Sequence, residues 1–74
     1  MKGLIMQTIY LREEFIKLGQ ALKAASLVSN GVEAKEVILG GMVKVNGEVS
    51  LQRGKKLYEG DTVEYNGEII KIEK

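Results

Sequence analysis

The segment from Gly40 to Asp61, GGMVKVNGEVSLQRGKKLYEGD, constrains this chain more than any other, because almost every residue in it has one conformational role. Gly40-Gly41 stops a helix with a left-handed cap. Val43 and Val45 alternate with Lys44 and Asn46, the period of a half-buried strand with one wet face. Asn46-Gly47 tolerates positive φ at both positions, as a type I′ hairpin turn requires. After the return strand, Gln52-Arg53-Gly54-Lys55-Lys56 gathers three cations within four positions around a flexible glycine. Leu57 goes back to the core, and Gly60-Asp61 turns the chain again before Thr62-Val63-Glu64-Tyr65. A strand-and-loop surface carrying Lys44, Arg53, Lys55 and Lys56 suits a polyanion with regularly spaced phosphates.

At 74 residues the chain has room for one domain with a thin core. No apolar run approaches the ~20 residues of a membrane helix, and the N-terminal MKGLIMQTIY lacks the features of a signal peptide. With no cysteine, disulfides and thiolate metal sites are excluded. The chain must fold on packing alone, and a reducing cytoplasm is the expected location. A net charge of +1 is uninformative, but its distribution is not. Lys35 to Lys56 holds five cations and two anions, whereas Leu57 to Lys74 holds two cations and five anions. Such a layout creates a cationic face on a nearly neutral molecule, although small domains also scatter charge unevenly by chance.

Thr8-Ile9-Tyr10-Leu11, β-branched and aromatic, reads as an edge strand. Arg12-Glu13-Glu14 opens a helical pattern with acids at its N-terminus. Phe15, Leu18, Leu22 and Ala25 form its apolar stripe, Lys17, Gln20 and Lys23 lie away from the centre of that stripe, and the helix ends near Ser26. Asn30 with Glu33, or Ser29 one residue earlier, caps a second helix whose apolar residues are Val32, Ala34, Val37, Ile38 and Leu39. The two helices form a helix-turn-helix-like corner. Asn66-Gly67 marks a second hairpin, between Thr62–Tyr65 and Ile69–Ile72. The expected fold is α+β: this two-helix corner packed on a small, bent, mainly antiparallel sheet of about five strands.

From Lys17 to Glu64 the chain resembles the small RNA-binding domain named after the fourth protein of the small ribosomal subunit, also called the alpha-L motif. The resemblance is carried by Lys17-Leu18, Leu22-Lys23, Leu27-Val28-Ser29, Glu33-Ala34-Lys35 and above all Gly41-Met42-Val43-Lys44-Val45-Asn46-Gly47-Glu48-Val49. Arg53-Gly54-Lys55-Lys56-Leu57 and Gly60-Asp61-Thr62-Val63 complete it, in the family order and spacing. The chain is most similar to stand-alone bacterial members, so residues 1–74 are expected to form a single RNA-binding domain with a family-like core at about 17–64. Three departures concern the helical side of the RNA surface that the resemblance implies. Gly19 and Gln20 stand where many members have an acid and then a base, Gly40 replaces an often acidic or polar residue, and Asn30-Gly31-Val32 lacks a common arginine.

Catalysis is hard to build from these residues. Without His or Cys, and with one Asp, the usual nucleophile–base pairs and metal clusters are missing. Glu13-Glu14 reads as a solvated helix start, and Gly54-Lys55-Lys56 lacks the upstream glycine and the Ser/Thr of a phosphate loop. No enzymatic activity, cofactor, metal or small-molecule substrate is expected.

The candidate RNA-binding residues are Lys35, Lys44, Asn46, Arg53, Lys55 and Lys56. Arg53 leads, because a guanidinium grips a phosphate bidentately or stacks on a base. Asn46 is first a turn residue. Lys2, Lys71 and Lys74 read as solubilising charges. Phe15 is assigned to the core, and Tyr58 to a strand position covering the core. So few aromatics argue against a stacking platform for single strands and favour recognition of shape and phosphates in folded RNA. The expected partner is structured RNA, ribosomal RNA by resemblance. Two rivals are a small DNA-binding regulator, whose second helix offers only Lys35, and a protein-interaction module using the acidic C-terminal hairpin.

Overall fold

The computed structural model describes residues 5–74, with only the backbone of Ile5; Lys2 lies outside them. In chain order the elements are β1 (Ile5–Tyr10), β2 (Ile16–Lys17), α1 (Leu18–Ala24), α2 (Gly31–Leu39), β3 (Val43–Val45), β4 (Glu48–Val49), β5 (Lys56–Leu57), β6 (Thr62–Tyr65) and β7 (Glu68–Glu73). Five strands form one sheet in the order β1-β7-β6-β3-β4, and β2 pairs with β5 in a separate ribbon. All pairings are antiparallel except β1 with β7. The fold is therefore α+β, with the expected five-strand sheet and an additional ribbon. No helix among the described residues is long and apolar enough to cross a membrane.

Local chemistry sets most of the boundaries. Asn46 and Gly47 adopt φ of 52° and 85°, and Asn66 and Gly67 adopt 53° and 79°, so both Asn-Gly pairs make the turns their composition implies. The Asn30 side chain accepts from the Glu33 N–H at 2.9 Å, and Glu33 Oε1 accepts from the Ser29 N–H at 2.6 Å. This reciprocal pair satisfies donors that a helix start leaves free. At the other end of α2, Met42 N–H reaches Val37 O and Gly41 N–H reaches Ile38 O, with Gly41 at φ 75°. That is a Schellman stop. Helix α1 ends the same way, with Ser26 at φ 59° in the left-handed position.

Helix α1 begins at Leu18, not at Arg12, and the expected first turn is a bend. The reason is tertiary. Ile16 pairs with Leu57 and Lys17 with Lys56, which holds these residues extended. The amides of Leu18 and Gly19 then donate to Lys55 O at 2.8 Å and Arg53 O at 3.1 Å. The loop wraps the start of α1 and supplies acceptors for its orphan donors.

The core joins the inner face of the sheet (Val43, Val45, Val63, Ile70, Ile72) to Leu18, Ala21, Leu22, Ala34, Val37 and Ile38 of the helices. Leu57 is buried among them, as expected. Phe15 is not part of this cluster; it is half-buried against Tyr58, which is itself 44% exposed. Once Ile16 and Leu57 face the core, alternation turns both aromatic neighbours outward. Val32 and Leu39 of α2 are also exposed, leaving Ala34, Val37 and Ile38 as its buried residues.

Candidate nucleic-acid interface

The basic loop is a tight turn fastened to a helix. Lys55 N–H closes it onto Gln52 O at 3.2 Å, which puts Arg53 and Gly54 at its tip. Two carbonyls of this loop are held by the first amides of α1, so Arg53 projects from a backbone fixed on both sides. Its stem lies across Gly19. A Cβ built at Gly19 would stand 2.9 Å from Arg53 Cγ, a distance real Cβ atoms do not tolerate. The missing side chain at Gly19 is thus the space that Arg53 occupies.

Around Arg53 is an open depression of about 280 Å³, lined by Lys17 at the end of β2, Gln20 and Lys23 of α1, Gly31 and Ala34 of α2, and Gly54. Its floor is built of small residues and its rim of cations. Lys35, one turn after Gly31, rises on the same side of α2 and is exposed. Lys56 faces Lys17 across the β2–β5 ribbon. Among the described residues the one ion pair is Lys71–Glu73 at 3.1 Å, so none of these cations is neutralised by a carboxylate.

The other candidates are placed differently. Lys44 projects from the face of the sheet turned away from the core, between Glu64 and Val49 on the neighbouring strands. Lys55 lines a separate open groove with Asn46, Glu48 and Val49. Asn46 is occupied structurally: its Oδ1 accepts from the Thr62 N–H at 2.9 Å, and its Nδ2 donates to Asp61 Oδ1 at 3.0 Å. The second Asp61 oxygen accepts from the Tyr58 N–H at 2.8 Å. The hairpin turn and the exit of the basic loop are therefore tied through one carboxylate.

Asn46→Ala should cost about 1–2 kcal/mol, from these hydrogen bonds and the positive φ. Asn46→Gly relieves only the second. A urea midpoint unchanged by Asn46→Ala would show that this tie contributes nothing.

Lys17 and Lys23 were not among the candidates read from the sequence. With Gln20 they recur every three residues from the N-cap of α1 onward, a weak signal on its own. Their proximity to Arg53 follows from the ribbon and the loop–helix bonds, which no local pattern discloses.

Residues 9–73 match the family described as the S4 domain. The chain belongs to the S4-domain family. It is also similar to the probable ribosome maturation protein RlbA of Bacillus subtilis (strain 168), with 44% identity over 59 residues, covering 80% of this chain and 83% of that protein. Membership bears out the resemblance carried by the Gly41–Val49 hairpin and the basic loop. It also gives the departures a structural setting. Gly19 is a residue over which Arg53 lies, and Gly31 helps form the floor of the depression.

Proposed function

We propose that this S4-domain chain binds structured RNA without catalysis, with ribosomal RNA as its target, and acts in the cytoplasm as a ribosome-associated or assembly factor. The observation that carries this reading is the convergence of Lys17, Lys23 and Arg53 on one depression floored by glycine and alanine, with no carboxylate paired to any of them among the described residues. Phosphates supply the missing counter-charge, and small residues let them approach the backbone. Lys35 and Lys56 extend the same field along α2 and the ribbon. Lys44 and Lys55 serve a flank of bent RNA that follows the hairpin, and Asn46 contributes by fixing that hairpin. The ribosome-maturation name of the Bacillus subtilis relative supports the choice of ribosomal RNA.

If four or five cations meet phosphates, log affinity should fall against log salt with a slope of about −3 to −4. Titration of a ribosomal RNA fragment at several salt concentrations measures it, and a flat dependence would reject the phosphate platform. Structured RNA should also outcompete duplex DNA of equal length, because α2 offers a single lysine to a major groove. Equal or better binding by a duplex DNA site would favour the regulator. Capture from lysate that survives nuclease treatment would favour a protein-interaction module.

A further inference from the structure

The β2–β5 ribbon has an outer face that phosphate binding alone does not explain. Ile16 and Leu57 pair in register and turn toward the core, so the residues on either side of them point outward. One flanking pair is Lys17 opposite Lys56. Like charges directly across a ribbon destabilise it, and no carboxylate pairs with either among the described residues. The other is Phe15 with Tyr58, whose ring centroids lie 6.0 Å apart at an interplanar angle of 53°. Lys56 Nζ sits 4.8 Å from the Phe15 centroid, which links the two pairs. Tyr58 stays 44% exposed beside them, with its backbone held by Asp61.

We propose that Tyr58, backed by Phe15, stacks one unpaired nucleobase while Lys17 and Lys56 hold an adjacent phosphate. The proposal rests on the RNA-binding reading above and adds to it a preference for a bulged or looped nucleotide. Tyr58 follows β5 directly and lies two residues from Lys56, about 7 Å along an extended backbone. That is comparable to the reach from a nucleobase to a neighbouring phosphate. An exposed aromatic ring next to a cross-strand pair of lysines matches the two chemical parts of a nucleotide. The Phe15 ring already contacts Tyr58 on one side, which lowers the rotamer freedom that binding would have to remove. A single aromatic step also agrees with a chain that has too few aromatics for a continuous single-strand platform.

Two RNA hairpins of one stem sequence test this, one with a single bulged 2-aminopurine and one with that base fully paired. The wild-type chain should bind the bulged hairpin about five- to tenfold more tightly and quench its fluorescence. Tyr58→Leu should abolish both the preference and the quench while leaving affinity for the paired hairpin within about twofold. Tyr58→Phe should retain them. Equal wild-type binding without a quench, or a preference that survives Tyr58→Leu, overturns the stacking site and leaves the phosphate reading standing. If the wild type binds neither hairpin in a salt-sensitive way, the RNA reading falls and the stacking site with it. Circular dichroism establishes that Tyr58→Leu is folded; should it unfold, the wild-type preference and quench decide alone.

Discussion

Leu57→Ala should lower stability by about 3 kcal/mol, within the 2–5 kcal/mol range for truncating a fully buried leucine. Seventy-four residues supply only about 4–11 kcal/mol in total, so this loss takes a large fraction of it. The position matters beyond its volume. From Leu51 to Gly60, Leu57 is the single buried residue, and it pairs with Ile16 in the ribbon. It anchors the loop whose carbonyls at Arg53 and Lys55 receive the first amides of α1. Removing the anchor should loosen Arg53, Lys56 and Tyr58 together, and RNA affinity should fall even where the variant is still folded. Leu51→Ala is the contrast: its side chain is 55% exposed, and the change should stay within about 0.5 kcal/mol. Urea denaturation measures both. A loss below 1 kcal/mol for Leu57→Ala would mean that the loop holds its place without the core.

The parts of the fold that could be read from the sequence are those specified by residues adjacent in the chain. Asn46-Gly47, Asn66-Gly67, Gly41 and the Asn30–Glu33 cap each answer a local demand on φ or on an orphan amide, and each is found where composition places it. The ribbon is different. Its strands are two residues long and lie about forty positions apart, too short to show a period. Helical spacing alone therefore places Phe15 on the stripe of Leu18, Leu22 and Ala25 and starts the helix at Arg12. The competing pairing of Ile16 with Leu57 won, because it buries Leu57 and lets the loop satisfy Leu18 and Gly19. Pairing of β1 with β7, at opposite ends of the chain, was equally invisible to a local pattern. For the candidate site the consequence is uneven. The basic loop is legible as a unit, but Lys17 and Lys23 come beside Arg53 only through tertiary contact. At Gly19, where many members carry an acid, the missing side chain is the room in which Arg53 lies.

Arg53→Ala should weaken binding to structured RNA by about 1–3 kcal/mol, the range for hydrogen bonds to charged groups. The side chain is exposed at a turn tip and has no ion-pair partner among the described residues, so folding stability should move by no more than ~0.5 kcal/mol. Arg53→Lys should recover only part of the loss, since an ammonium keeps the charge without the two-pronged geometry. Gly19→Ala supplies an independent probe of the same residue. Its new methyl would meet Arg53 Cγ at 2.9 Å, and the flexible arginine, not the backbone, has to give way. Affinity should therefore fall in Gly19→Ala but change little further when Arg53 is already alanine, a non-additivity that a double-mutant cycle isolates. Lys71→Ala is the matched control, because Lys71 lies on the outer face of the sheet and is paired with Glu73. If Lys71→Ala impaired binding while Arg53→Ala did not, the interface would lie on that outer face, where Lys44 and not Arg53 would be the cation to pursue.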